Sequence, residues 1–364
     1  MRIILLAGGS GGHITPALAV AHEIRHIESD ADCIFLCSRN ELDKKILFQS
    51  GERFIPIFSG KIRRYFSWQN FIDPIFLFFG FFQSLFFFLF HRPDCIFSKG
   101  GFAAFPPALA AYILRIPIIV HESDSVPGLA NRIIQRFAKK VLTSFPSDFG
   151  ECVGVPLRSS LLLADSQKGK AFLSFSRNEK PIVFGFGGSQ GSDFLNKKII
   201  QNIDALLPKA NIVWISGAKH SSLFPEREGL RVFEYLHEEF FHVLAASDLV
   251  IMRSGSSIFE AAALQIPMLL IPLSSSANNH QEKNAEVFSQ KNSAEVLLEK
   301  DCDLKRFANV IVELLEDVGK RNRLAKNAYR LVRFDAAKRI AENLIGILHE
   351  KKEGKQDHQK SLSE

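Results

Sequence analysis

Two stretches, "RIILLAGGSGGHITPALAVA" from Arg2 and "PIVFGFGGSQGSDFLNKKII" from Pro181, each run an apolar strand into a glycine cluster and then into a helix. Such a unit bares backbone N–H groups at a helix N-terminus, where they stabilise anionic or polar oxygens. Its double occurrence restricts the chain to two strand–helix sheets. The runs "DCIFLC", "DCIFS" and "IPIIVH" follow the first unit, and "NIVWISG", "DLVIMRSG" and "PMLLIPL" follow the second. Near-continuous apolar strands alternating with helices indicate parallel sheets covered on both faces. A length of 364 residues also exceeds one ordinary core and suggests two domains of roughly 150–200 residues. The expected fold is α/β, with two Rossmann-like domains facing each other. "GVPLRSSLLLADSQKGK", residues 154 to 170, reads as the linker, and the charge-rich tail "HEKKEGKQDHQKSLSE" as disordered.

Neither common nucleotide motif fits the glycines. A P-loop needs a lysine after its last glycine, and none follows Gly12. Counting GxGxxG from Gly9 meets Ile14 where the last glycine belongs, and "FLCSRN" lacks the acid expected after the second strand. Five cysteines (Cys33, Cys37, Cys95, Cys152, Cys302) form no CxxC pair, which points to reduced, buried thiols in a cytosolic protein. The apolar run in "MRIILLAGG" is too short for a secretory signal core and reads as a first buried strand.

A net charge of +6 admits nucleic acid, an anionic membrane or a solvated surface as explanations. The 34 phenylalanines decide among them, because they crowd into "FSWQNFIDPIFLFFGFFQSLFFFLF", residues 66 to 90. Asp73 and Pro74 read as an N-cap and first-turn proline, giving a helix from about residue 74. From Ile75 to Phe90 such a helix falls short of the roughly 20 residues that cross a bilayer. Lys61, Arg63 and Arg64 precede it and His91 and Arg92 follow. An apolar helix bracketed by cations suits the headgroup boundary of an anionic leaflet, and no nucleic-acid partner is expected.

"GGSGGHITPALAVA", "KGGFAAFPPALAA", "HESDSVPGLANR", "GVPLR", "GGSQGS", "RSGSSIFEAAALQIPMLLIP" and "NNHQEKNAE" occur in this order over roughly residues 1 to 345. The set resembles the cytoplasmic, membrane-associated N-acetylglucosaminyltransferases of peptidoglycan synthesis, the MurG family. The resemblance implies a GT-B fold, two Rossmann-like domains with a cleft between them. It implies inverting transfer of GlcNAc from UDP-GlcNAc to the C4 hydroxyl of the muramoyl sugar of lipid I, giving lipid II. On this reading residues 1–157, joined by the C-terminal helix 334–351, take the lipid acceptor and meet the membrane. Residues 158–333 take UDP-GlcNAc, and 352–364 form a disordered tail. Implied partners are UDP-GlcNAc, lipid I, an anionic surface on the cytoplasmic face of the inner membrane, and cell-wall synthesis proteins. No metal or cofactor is implied. Two enzyme alternatives share the fold: a glycosyltransferase with another lipid acceptor such as diacylglycerol, and a UDP-GlcNAc 2-epimerase. A non-enzymatic membrane scaffold is the third.

The leaving UDP gains negative charge as the glycosidic bond breaks, so helix N-termini and backbone amides must meet it. Ser189, Gln190 and Gly191 in the second glycine turn suit that task, as do Ser254, Gly255, Ser256 and Ser257 ahead of Glu260. By resemblance, Glu260 binds the ribose hydroxyls, the Leu236 backbone reads uracil, His280 and Gln281 meet the GlcNAc hydroxyls, and Arg158 reaches a phosphate. "SGSSIFE" is one residue shorter than the family's usual spacing, which leaves the pairing of individual serines with phosphate open. Ser10, Gly11 and Gly12 present amides to the lipid I phosphate or the transferred sugar, and Gly100, Gly101 and Asn131 are acceptor contacts, with Lys99 beside them. His13 follows the glycines at a helix N-terminus, where the dipole disfavours imidazolium and keeps a neutral base available. Asp124, where the family often has asparagine, touches the sugar and is the rival base.

Overall fold

The computed structural model describes residues 1–9, 11–60, 68–175, 180–188, 191–218 and 220–361, with the backbone alone for 69–71 and 350–361. The chain divides into two units, Met1–Arg158 with Arg333–Glu364, and Ser159–Val332.

Among the described residues the first unit holds seven strands: β1 (Arg2–Ala7), β2 (Asp32–Cys37), β3 (Phe54–Pro56), β4 (Cys95–Gly100), β5 (Ile118–Glu122), β6 (Lys140–Thr143) and β7 (Glu151–Cys152). They lie in the order β3-β2-β1-β4-β5-β6-β7, and every pair is parallel. The uninterrupted apolar run of β1 is explained by burial on both faces. Ile3, Leu5 and Ala7 pack with Ile14, Ala17, Val20 and Ile24 of α1 (Gly11–Ile27) and with Ile340 and Leu344 of the C-terminal helix. Ile4 and Leu6 point the other way, into a cluster with Phe88, Ala104 and Ala108. Side chains alternate across a strand, so neither face of β1 admits a polar residue.

The second unit repeats the scheme with β8 (Ile182–Phe186), β9 (Asn211–Ile215), β10 (Leu230–Phe233), β11 (Leu249–Met252), β12 (Met268–Leu270) and β13 (Glu295–Val296), in the order β10-β9-β8-β11-β12-β13. Trp214 fills its centre, and the indole N–H donates to Asn196 Oδ1 at 2.8 Å. Gly185 makes room for that ring, since a Cβ there would stand 1.9 Å from Cζ3. In each sheet the winding reverses beside the first strand, between β1 and β4 and between β8 and β11. A parallel sheet of this kind binds its ligand at that reversal, outside the carboxyl ends of the strands. The glycine turns stand there in both units.

One sequence expectation is corrected. The phenylalanine-rich helix α3 (Gln69–His91), which follows α2 (Glu41–Gln49), begins before Asp73 and Pro74, so Asp73 is not its N-cap. Asp73 is instead buried against Gly60, where an added Cβ would stand 2.7 Å from its own. With 23 residues α3 is about 34 Å long, and Ile72–His91 is long and apolar enough to cross a membrane. One side is nonetheless committed to the unit. Gly80, Ser84 and Phe88 are buried, and Gly80 lies so close to the Phe58 carbonyl that no Cβ would fit. The opposite side exposes Ile75, Phe78, Phe79, Phe82, Phe86 and Phe90. The C-terminal helix, which starts at Ala336, carries Ile340, Leu344, Ile347 and Leu348 into the core of the first unit.

Candidate functional site

In the first unit three strand ends converge. Gly9 has φ +91°, and its N–H donates to Asp43 Oδ2 at 2.7 Å. Ser38 Oγ donates to the same oxygen at 2.6 Å, so a fully buried carboxylate fastens the first glycine turn from below. Gly11 and Gly12 open α1, placing their amides among the first N–H groups, which have no partner within a helix. His13 follows, half-buried. At the end of β4, Gly100 and Gly101 have φ of +92° and +82°. A Cβ on Gly101 would stand 2.5 Å from the Gly8 carbonyl and 2.9 Å from His13 Cδ2, and one on Gly100 would stand 2.7 Å from the Asn131 amide. The two glycine turns therefore touch each other, and side chains are excluded where they meet.

The end of β5 carries His121, Glu122, Ser123 and Asp124. Glu122 accepts from the Asp124 and Gly128 amides at 3.0 and 3.1 Å and from Asn131 Nδ2, on α5 (Leu129–Ile134), at 2.9 Å. Burial raises its pKa, and the charge of Asp124 adds to the rise. His121 Nε2 donates to the Gly154 carbonyl at 2.9 Å. Burial, then the Lys99 charge, hold this imidazole well below its ordinary pKa, and the ring is neutral. Lys99 is itself buried and bonds Ser123 Oγ.

In the second unit Gly191 has φ +78° and lies against the Ser216 carbonyl, 2.4 Å from where its Cβ would be. Ser192 caps the helix Asp193–Ile200. Arg253, at the end of β11, donates to Ser192 Oγ at 2.8 Å, to the Ile271 carbonyl at 2.9 Å, and pairs with Glu299 at 2.7 Å. Burial works to raise the pKa of Glu299, but hydrogen bonds from Ser274 and Arg253 together hold it below the ordinary carboxylate value. Ser254 is buried and donates to the Gln281 carbonyl oxygen at 2.7 Å, while its own carbonyl accepts from Asn284 Nδ2. Gln281 Oε1 accepts from the Leu273 amide at 3.0 Å. His280 and Gln281 open the helix His280–Gln290, and Gly255, Ser256 and Ser257 precede the helix Ile258–Ala263, whose first turn holds Glu260.

The structure thus gathers Gly11, Gly12, His13, Gly100, Gly101, Asp124 and Asn131 at the strand ends of the first unit. In the second it gathers Gly191, Ser254 to Ser257, Glu260, His280 and Gln281. Leu236 is buried, so only its backbone is available to a ligand. Arg158 is half-buried at the last position of the first unit's leading segment. Ser10, Ser189 and Gln190, like Lys61, Arg63 and Arg64, lie outside the described residues. Sequence reasoning missed Asp43 and Arg253, which fasten the two glycine turns. "RSGSS" did contain the signal, because an arginine ending an otherwise apolar strand must find buried partners. Four of the five cysteines are buried, and burial pushes Cys37 up to about 12.

Two parallel sheets, each with glycine-bared amides at its reversal point, define the two-Rossmann GT-B class. A model of the glycosyltransferase family 28 N-terminal domain matches residues 3–143, and one of the family 28 C-terminal domain matches residues 182–344. A Bacillus cereus (strain ATCC 10987 / NRS 248) protein named UDP-N-acetylglucosamine–N-acetylmuramyl-(pentapeptide) pyrophosphoryl-undecaprenol N-acetylglucosamine transferase 2 is 37% identical over 339 residues, 90% of this chain and 94% of its own length. A Shouchella clausii protein named as such a transferase is 39% identical over 325 residues, 86% of this chain and 90% of its own. The chain belongs to glycosyltransferase family 28 and, within it, to the MurG family. Acinetobacter baumannii MurG shares the fold with a TM-score of 0.74 at 21% identity, covering 95% of this chain and 99% of that one. A Neisseria meningitidis UDP-GlcNAc 2-epimerase shares it with a TM-score of 0.68 at 14% identity, covering 95% and 100%.

Proposed function

We propose that the protein transfers N-acetylglucosamine from UDP-GlcNAc to the C4 hydroxyl of the muramoyl sugar of lipid I, with inversion, producing lipid II for peptidoglycan. The observation that carries this is identity of 36–39% with transferases of that name across both units. The fold alone does not separate transferases from epimerases.

The second unit takes the donor. Glu260 accepts from the ribose hydroxyls, the Leu236 backbone reads uracil, and amides around Gly191 and from Gly255 to Ser257 face the diphosphate. His280 and Gln281 meet the GlcNAc hydroxyls. Because Gln281 Oε1 is engaged by the Leu273 amide, its Nε2 is the group left to donate to the sugar. The first unit takes the acceptor on the amides of Gly11, Gly12, Gly100 and Gly101. His13 or Asp124 removes the proton from the C4 hydroxyl as its oxygen bonds to C1 of GlcNAc and the bond from C1 to UDP breaks. Charge gathers on the departing diphosphate, and preorganised amide dipoles meet it without reorganising.

The exposed phenylalanines of α3 enter the cytoplasmic leaflet of the inner membrane, while its buried side stays on the protein. This makes the enzyme peripheral and brings it to an acceptor whose polyprenyl chain cannot leave the bilayer. Cell-wall synthesis proteins are the partners that setting implies. Transfer of labelled GlcNAc from UDP-GlcNAc to a short-chain lipid I analogue tests the reading. A lipid II product is expected. Epimerised UDP-GlcNAc with no transfer would replace the transferase with an epimerase.

A further inference from the structure

Lys99 is an unusual residue to find inside this protein. It is 1% exposed, in a strand otherwise made of small and apolar side chains. The ladder between β1 and β4 slips there: Leu6 pairs with Ser98 and Ala7 with Gly100, leaving Lys99 as the extra residue of a bulge. Bulges re-aim side chains and occur next to active sites. This one turns an ammonium beneath the end of β5, where it bonds Ser123 Oγ. The charged groups acting on Lys99 are the carboxylates of Glu122 and Asp124, and the neutral His121 ring lies near it. β1 offers only Leu6 and Ala7 at this point, and α5 offers the neutral Asn131. Asn131 is itself 5% exposed, and its Oδ1 has no hydrogen-bond partner although its Nδ2 is bonded.

We propose that Lys99 is a positioning residue for the acceptor: its buried charge balances Glu122 and Asp124 and holds the turn after β5 so that Asp124 faces the muramoyl sugar. The proposal rests on the lipid I reading above. An aspartate in place of the family's usual asparagine adds a negative charge beside the already buried Glu122. Two carboxylates at one strand end repel each other and are poorly solvated, so they need a cation sealed in with them. Serine and two glycines, the immediate neighbours of Lys99 in sequence, keep side chains from blocking its path to Ser123.

Burial lowers the pKa of Lys99 to about 8, against the opposing pull of Glu122 and Asp124. Its proton is therefore lost within a range that an assay reaches. Initial rates with a short-chain lipid I analogue, acceptor and donor varied in turn across that range, test the assignment in wild type, K99R and K99M. The wild-type acceptor kcat/KM should fall above a pH of about 8. K99R, whose guanidinium keeps its charge, should hold its plateau to higher pH. K99M should lose roughly tenfold to a hundredfold in acceptor kcat/KM, as expected for a displaced contact, and leave the donor KM within about twofold of wild type. Unchanged acceptor kinetics in K99M would overturn the proposal, as would equal losses for donor and acceptor with a lowered Tm. If K99M fails to fold, a wild-type acceptor profile that is flat through that pH, or a K99R profile identical to it, overturns it. Wild-type protein that makes no lipid II would instead overturn the transferase reading, and this assignment with it.

Discussion

The His13 ring lies against Gly101: a Cβ added to that glycine would stand 2.9 Å from His13 Cδ2 and 3.2 Å from Nε2. The second glycine turn therefore fixes where the imidazole can be. G101A should displace the ring and strain a backbone at φ +82°, lowering kcat while UDP affinity holds. H13A should lower kcat by about 10²–10⁴-fold with UDP still bound, because general-base help appears in the transition state. Steady-state rates beside UDP titrations check both. Greater damage from D124N than from H13A would give the base role to Asp124.

Glu260 is 9% exposed in the first turn of its helix. E260A should remove the carboxylate from the ribose hydroxyls and weaken donor binding by about 1.5–3 kcal/mol, the range for hydrogen bonds to charged groups. Calorimetric titration with UDP reads it directly. Wild-type affinity in the variant would place Glu260 outside the donor site.

Arg253 and Glu299 are a buried pair, with side chains 8% and 13% exposed. R253M should leave Glu299 and Ser192 without their cation and destabilise the second unit by about 3–5 kcal/mol, as when one partner of a buried pair is removed. Denaturant unfolding measures the loss. A double R253M/E299Q variant should recover part of it, and failure to recover would mean that packing around the guanidinium matters more than charge.

Phe78, Phe79, Phe86 and Phe90 are all more than half exposed on one side of α3. Replacing the four with serine should release the protein from anionic vesicles, since apolar burial at about 25 cal/mol per Å² supplies most of the affinity. Transfer to a water-soluble acceptor analogue should survive. Phe81 is left out of the set because it packs against the core. Flotation of the variant with vesicles, as for wild type, would end the membrane reading.

His121 is buried and neutral, with its folded pKa held well below the ordinary 6.5. Below that value the unfolded chain takes up a proton that the folded ring refuses. Stability is therefore fully present above about 6.5 and is lost as pH falls toward the folded pKa. H121Q, which keeps an N–H for the Gly154 carbonyl, should flatten this acid limb of the Tm profile. A limb of unchanged depth would assign it to other groups.

Legibility followed locality. The glycine turns and the strands feeding them were readable because a strand end, a positive φ and a helix start are all encoded within a few residues. His13 and Gly101 were each visible, but their contact joins two turns far apart in sequence. The start of α3 was misread for the same reason. Asp73 and Pro74 look like a cap in isolation, and what buries Asp73 is Gly60, thirteen residues earlier in the chain. Asp43 and Arg253 stayed hidden because a single charge in an apolar neighbourhood carries no periodicity. Its partners come only with the fold.

Ile340, Leu344 and Ile347 lie in the same core as β1 and α1, although the whole of Ser159–Val332 intervenes in sequence. During synthesis, therefore, the nascent first unit must wait with one wall of its core missing. The second unit, a continuous segment, can complete itself while the ribosome is still at work. The first closes only when the final helix emerges, so the face of β1 formed by Ile3, Leu5 and Ala7 lacks part of its cover throughout elongation. A stop codon placed before residue 336 should yield a soluble, UDP-binding second unit attached to a partner that cannot finish folding.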